Sequence, residues 1–358
     1  MTNYFFRAKI RYDDFFKSSG LSTKSKKMKG EQLMAHGILK NDTMFSVKEK
    51  PWHKLGTVVE TAPTVREAIR LAGLDWQVQL KPIQTVEENG EETNLITTHK
   101  AVFREDTKDV LGVVGSTYHP LQNTEAFDWF EPFVENGLAT LETAGSLFNG
   151  KRVWILAKTQ KEADVVNGDT VESYILLSNS HDGSNAVKVG FTPIRVVCNN
   201  TLSYAEGHNL SQLIRVRHTQ SVVENLQLVR EIMDTVNTQF IATIEQYKEL
   251  TKRDISVEDL RKYVKQVFSS QKLEQIITDY EAREKAEIER ERKRLLERVE
   301  EFFELEPARK TWNMYNAVNS YLNHERCRNS ELRLNSIWFG DSKSLDKKAF
   351  ELAKRMYV

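Results

Sequence analysis

The chain of 358 residues has only two cysteines, Cys198 and Cys327, which excludes a disulfide framework, a four-cysteine zinc site and a cysteine-ligated cluster. No apolar run approaches the roughly 20 residues that a membrane span needs. The opening residues, MTNYFFRAKIRYDDFF, hold no uninterrupted apolar stretch of the secretory kind. The expectation is a cytoplasmic protein with no membrane partner. A charge imbalance is missing too: 51 lysines and arginines meet 51 aspartates and glutamates. Whole-chain charge therefore selects no partner class, although a neutral chain can still carry a basic face. There is no P-loop, no GxSxG elbow, no HExxH and no strand–GxGxxG–helix fingerprint, which counts against P-loop nucleotide hydrolysis and zinc peptidase chemistry. No cofactor is indicated.

What is present suits a folded chain: 40% hydrophobic and 28% charged residues. The length suggests two domains, or one large domain with an appendage. Residues 1–33 stand apart, with eight basic residues against three acidic ones and a Ser/Lys-rich tract, SSGLSTKSKKMKG. They read as a basic leader or flexible arm. The tract Lys29-Gly30-Glu31-Gln32-Leu33 is compatible with purine-rich codons resembling a ribosome-binding site, which makes Met34 a candidate start.

From residue 34 to about 220 the punctuation is that of hairpins, and an α+β core with an antiparallel sheet is expected. TVREAIRLAGL reads as a helix, Asp75–Val86 as a strand and Asn89-Gly90 as a turn. TNLITTHKAVF and VLGVVGSTY follow as strands, and EAFDWFEPFVENG as a helix. LETAGSLF and KRVWILAKT then flank the turn Asn149-Gly150, and SYILLSNS and AVKVGFTPIRVVC flank the turn HDGSN. A helical region over 221–358 follows, with helices expected at 221–254, 256–270 (capped by Ser256) and 272–304. Another is centred on Trp312, Tyr315 and Leu322, and a last one covers about 344–357. The stretch from Glu281 to Arg294 is almost wholly charged and should face solvent or a partner.

Two sets of residues are candidates for chemistry. In Ser178–Asn185, His181 beside Asp182 reads either as part of a tight turn or as a metal ligand or base with an orienting carboxylate, with His218 as a further candidate. Cys198 ends an apolar strand and reads as a small buried hydrophobe rather than a nucleophile. The second set is basic. Lys151 and Arg152 follow a turn, Lys188 and Arg195 share one strand, and Arg215 and Arg217 alternate on one strand face. Beside exposed aromatics such as Phe191 and Tyr204, such cations suit a phosphate backbone with stacked bases; solvated decoration is the alternative. His324, Arg326, Arg328 and Arg333 form a further basic cluster at a helix C-terminus, where compensation of the helix dipole accounts for them.

Several tracts together resemble the phage/plasmid-like protein family, a domain of unknown function of phages, prophages and conjugative plasmids. They are PWHKLG (51–56), GLDW (73–76), LGVVG (111–115) with Tyr118, Gln122 and Asn123, ETAGSL (142–147), LSNSHDGS (177–184), FTPIRVVCNNTL (191–202), RVRHT (215–219), Trp312–Tyr321 with His324 and Arg326, and SIWFG (336–340). Lys54 stands where that family usually has glycine, and residues 1–33 lie outside the resemblance. The resemblance implies a mobile-element origin and no particular activity. The helix–three strands–helix order is also similar to the core of single-strand annealing recombinases, an analogy of fold only. The leading expectation is nucleic-acid binding in DNA metabolism, of the annealing or recombination kind, by a homo-oligomer on single-stranded or duplex DNA. A metal-dependent nuclease-like or transferase-like enzyme, and an anti-defence protein with a host protein partner, stand beside it.

Overall fold

The computed structural model describes residues 43–47, 56–86, 92–184, 187–195, 200–201, 226–269, 282–327 and 330–356. The expectations for residues 1–33, for PWHKL, for Cys198 and Tyr204, and for Arg215, Arg217 and His218 fall outside these residues.

The protein is α+β, with two sheets and a helical C-terminal region. The strands are β1 (Met44–Val47), β2 (Thr57–Val59), β3 (Val78–Val86), β4 (Glu92–Arg104), β5 (Val110–Gly115), β6 (Ala139–Leu147), β7 (Arg152–Val166), β8 (Asp169–Ser180), β9 (Lys188–Arg195) and β10 (Asn200–Thr201). Seven form one sheet in the order β10-β9-β8-β7-β6-β1-β2, and β3-β4-β5 form a separate meander. All pairings are antiparallel except β1 with β2.

The helix–three strands–helix order is present, with α1 (Val65–Leu71) before the meander. Thr64 and Glu67 form a reciprocal cap at its start, satisfying two donors that the first turn leaves free. The helix expected after the meander is two short ones, α2 (Asn123–Asp128) and α3 (Glu131–Glu135). Pro132 explains the break: without an N–H, and with a ring that crowds the carbonyl of the preceding turn, it starts a helix rather than continuing one. The β7–β8 hairpin runs past the expected strand ends and turns at Gly168, whose φ of 79° is the left-handed conformation that glycine adopts without strain.

The C-terminal helices are α4 (Leu226–Leu250), α5 (Val257–Val267), α6 (Ala282–Leu305), α7 (Thr311–His324), α8 (Ser330–Phe339) and α9 (Asp341–Arg355). Ser256 caps α5, its hydroxyl accepting from the Asp259 amide at 3.1 Å. Along α6, Glu289–Arg294 are exposed whereas Val299 and Phe303 are buried, so the helix docks by its C-terminal half. SIWFG, read only as a family tract, is the end of α8.

Buried apolar residues recur along α4 at three- and four-residue spacing: Ile232, Val236, Phe240, Ile244, Tyr247 and Leu250. This stripe packs on β7, β8 and β9, and Phe240 meets Phe191 edge-on at 6.2 Å. Phe191 is therefore not the exposed stacking platform expected; the alternation of β9 turns it under α4, 2% exposed. One hydrophobic core runs from the sheet through α4, α5, α7 and α9. On the opposite sheet face, Met44, Leu147, Trp154 and Trp338 form a smaller cluster that seats α8.

Candidate nucleic-acid interface

Strand register brings His181 and Asp182 together with Lys151, Arg152 and position 188 at one end of the large sheet, whereas Arg195 lies at the other end of β9. Arg152, the first residue of β7, pairs with Ser180, and Ser178 pairs with Lys188. Residues directly opposite in an antiparallel pair share a face, so positions 152, 178, 180 and 188 lie on one side of the sheet. The β6–β7 turn carrying Lys151 and the β8–β9 turn carrying Asp182 stand side by side, with the His181 amide donating to the Lys151 carbonyl at 2.8 Å.

The outer layer of this end is polar. Asp182 accepts from the Ser180 hydroxyl and from the Ser184 amide and hydroxyl; these bonds, with Arg152 nearby, hold its carboxyl below the usual range against the opposing effect of burial. Arg152 is partly buried and reaches the Ser184 hydroxyl at 3.3 Å. Lys151 is exposed. The tract is thus the tight turn that its Asp, Gly and Ser content predicts.

His181 behaves unlike a surface turn residue. It is fully buried, with Nε2 2.9 Å from Asn123 Oδ1. Asn123 directs its amide nitrogen to the Trp76 carbonyl at 3.4 Å, so its oxygen faces the ring and His181 Nε2–H is the donor. Nδ1 keeps its lone pair and meets no hydrogen-bond partner among the described residues. Burial, only partly opposed by Asp182, lowers the His181 pKa to about 4, so the ring is neutral at pH 7. Asn123, not Asp182, orients the imidazole. The alternative reading, in which Asp182 orients His181, finds no hydrogen bond between the two among the described residues; both lie past the end of β8, in the turn. Among the described residues no group of three or more His, Cys, Asp or Glu is placed to hold a metal ion.

Beneath the β6–β7 turn lies Trp76, with its ring 5.3 Å from that of His181. Arg104 stacks 4.2 Å over Trp76, forks onto Asp106 at 2.7 and 2.8 Å and donates to the Asn149 carbonyl at 3.2 Å. It thereby ties the meander to the turn. Trp76 also forms one wall of an open groove of about 680 Å³ on the meander, lined further by Phe103, Lys81 and Lys108 and by the acidic Asp75, Glu105 and Asp106. Lys81 Nζ stands 3.5 Å over the Phe103 ring. Sequence reasoning missed this groove of mixed charge, whose signal was the alternation in β3 and β4 that places Lys81 and Phe103 on one face.

Gly150 holds this arrangement together. Its φ is 88°, and a Cβ there would lie 2.8 Å from Trp76 and 3.0 Å from Arg104. Gly150→Ala is expected to destabilise by about 1–3 kcal/mol, from backbone strain plus overpacking. Gly168→Ala, with φ 79° and open space around it, should pay the strain alone. Thermal midpoints of the two variants check this, and an equal loss at both would show that Trp76 and Arg104 yield freely.

Arg195 has left the basic set. It is 3% exposed and bound to Asp169 at 2.6 and 2.7 Å and to Glu306 at 2.7 and 3.0 Å. Trp312 Nε1 donates to Asp169 at 2.8 Å and Asn313 donates to Glu306 at 3.0 Å. A guanidinium saturated by two buried carboxylates cannot grip a phosphate; Arg195 joins β9 to β8 and to the end of α6. In the other basic cluster, Arg333 donates to the Cys327 carbonyl at 3.1 Å, just past the α7 C-terminus.

The model of a family described as a domain of unknown function (DUF932) matches the chain over residues 110–338. No curated protein and no solved structure matches it.

Proposed function

The chain belongs to the DUF932 family of domains of unknown function, and on that premise we propose that it binds nucleic acid in the DNA metabolism of a mobile element, a phage or plasmid, at the β6–β7 and β8–β9 end of its large sheet. The observation that supports this reading is the convergence of Lys151, Arg152 and position 188 on the serine-rich turn; the groove beside it is of mixed charge, with Trp76, Phe103, Lys81 and Lys108 alongside Asp75, Glu105 and Asp106. Cations and hydroxyls bind the phosphate backbone irrespective of sequence, and aromatic faces stack on any base. A single strand, whose bases are free to stack, suits the groove better than a duplex.

The test is a salt titration of binding to a fluorescent single-stranded oligonucleotide. Lys151→Ala/Arg152→Ala should weaken binding with little sequence dependence. It should also flatten the slope of log K against log salt by roughly 1.4, at about 0.7 for each lost phosphate contact. An unchanged slope and affinity would remove this sheet end from the binding surface. Binding or turnover that appears only with magnesium would favour the nuclease-like or transferase-like reading instead.

A further inference from the structure

We propose that the outer edge of β5 is a pairing surface for a second copy of this chain, joined antiparallel about a two-fold axis at Val113. The sheet edges differ in how they are protected. A strand at a sheet edge offers unpaired N–H and C=O groups, and charges, proline or shortness normally blunt it. In the large sheet the edge strands β2 and β10 span three and two residues among the described residues. In the meander, β3 carries Lys81 and Pro82, and proline removes a donor from the ladder. The other meander edge, β5, reads VLGVVG, six residues with no charge and no proline.

Its outward side chains are unusually apolar for a surface. Val110 and Val113 are 56% and 57% exposed, beside the partly exposed Ala101 and Phe103 on β4. Gly115 has open space where a side chain would stand. The inner side is closed, since a Cβ on Gly112 would lie 2.6 Å from the Asp182 backbone. Among the described residues nothing pairs with the backbone edge of β5 or covers its outer face.

A second copy satisfies this edge without electrostatic conflict. Opposite residues of an antiparallel pair must share a face, and a two-fold axis at Val113 sets Val113 against the partner's Val113 and Gly112 against the partner's Val114. The nearest charges, Lys108 and Asp109, then lie opposite the partner's Tyr118 and the partner's Thr117, so like never meets like. The two meanders become one six-stranded sheet. A six-residue strand pair alone is small against the ~1,200 Å² of a stable interface, so the dimer should dissociate on dilution. The contact is the backbone edge of β5, next to the proposed binding surface, since Gly112 lies against Asp182 and Phe103 also lines the groove; the expected homo-oligomer thereby gains a defined contact.

Sedimentation velocity of the full chain over rising concentrations, up to roughly 100 μM, tests the proposal. The wild type should pass reversibly from monomer to dimer. Val113→Lys and Val113→Glu, each setting like charges across the axis, should each stay monomeric with melting curves close to wild type, as exposed substitutions do. An equimolar mixture of the two should recover the dimer, because opposite charges then face each other. A wild type that stays monomeric throughout would overturn the proposal. So would a dimer indifferent to both substitutions, or two monomeric variants whose mixture fails to associate.

Discussion

Arg195→Ala should cost about 3–5 kcal/mol of unfolding free energy, the scale of leaving buried charges without their partner. Asp169 and Glu306 would remain buried with one guanidinium removed from between them, keeping only their bonds from Trp312 and Asn313. Arg195→Lys should rescue little, since an ammonium cannot fork onto two carboxylates at once. Replacing all three charges together, by Arg195→Met, Asp169→Asn and Glu306→Gln, should recover part of the loss. Urea unfolding midpoints measure each step. At a temperature where it stays folded, Arg195→Ala should bind a single-stranded oligonucleotide with the wild-type salt slope. A normal midpoint with a flattened slope would return Arg195 to the binding surface and contradict the buried cluster.

Acidification is expected to unfold the protein through His181. Its pKa falls from the 6.5 of an exposed histidine to about 4 in the fold. Below pH 6.5 the unfolded chain therefore takes up a proton that the folded chain refuses. Stability is fully present above 6.5 and declines as pH falls toward 4, by about 1.4 kcal/mol per pH unit and about 3 kcal/mol in all. His181→Gln starts from a lower stability, having lost a packed ring, but its curve should be flatter between pH 6.5 and 5, a range above the carboxylate titrations. Equal slopes in both proteins would show that the ring is solvated or already protonated in the fold.

The hairpins were legible because turn chemistry is local. Asn149-Gly150 and the HDGS turn carry residues suited to tight reversals, and Gly150 and Gly183 both have positive φ. The α7 face was equally readable, since Trp312, Tyr315 and Leu322 recur with the helical period and are buried. Partners distant in sequence were not. Asp169 lies 26 residues from Arg195 and Glu306 lies 111 away, so no local pattern could pair them. The one hint was a single charge within the apolar run FTPIRVVC, which more often marks a satisfied buried ion than a solvated one in such a setting. His181 misled for the opposite reason: a turn-rich tract suggests exposure, but packing of the meander against the large sheet closes over it. The pairing of β1 with β2 went unread because two strands of four and three residues give too short an alternation.

The candidate site was half visible. Lys151 and Arg152 were named from their place after a turn, and register then brought them to His181 and Asp182. The groove of Trp76, Lys81 and Phe103 was not anticipated, because it depends on a second sheet whose position the order of strands does not give.

The most direct measurement is the affinity of the full wild-type chain for a labelled single-stranded oligonucleotide, by fluorescence anisotropy from low to high salt, with and without magnesium. The account predicts saturable binding that needs no magnesium and a log–log salt slope of at least about −1.4, as two phosphate contacts require. No binding at low salt, or an affinity indifferent to salt, would contradict it.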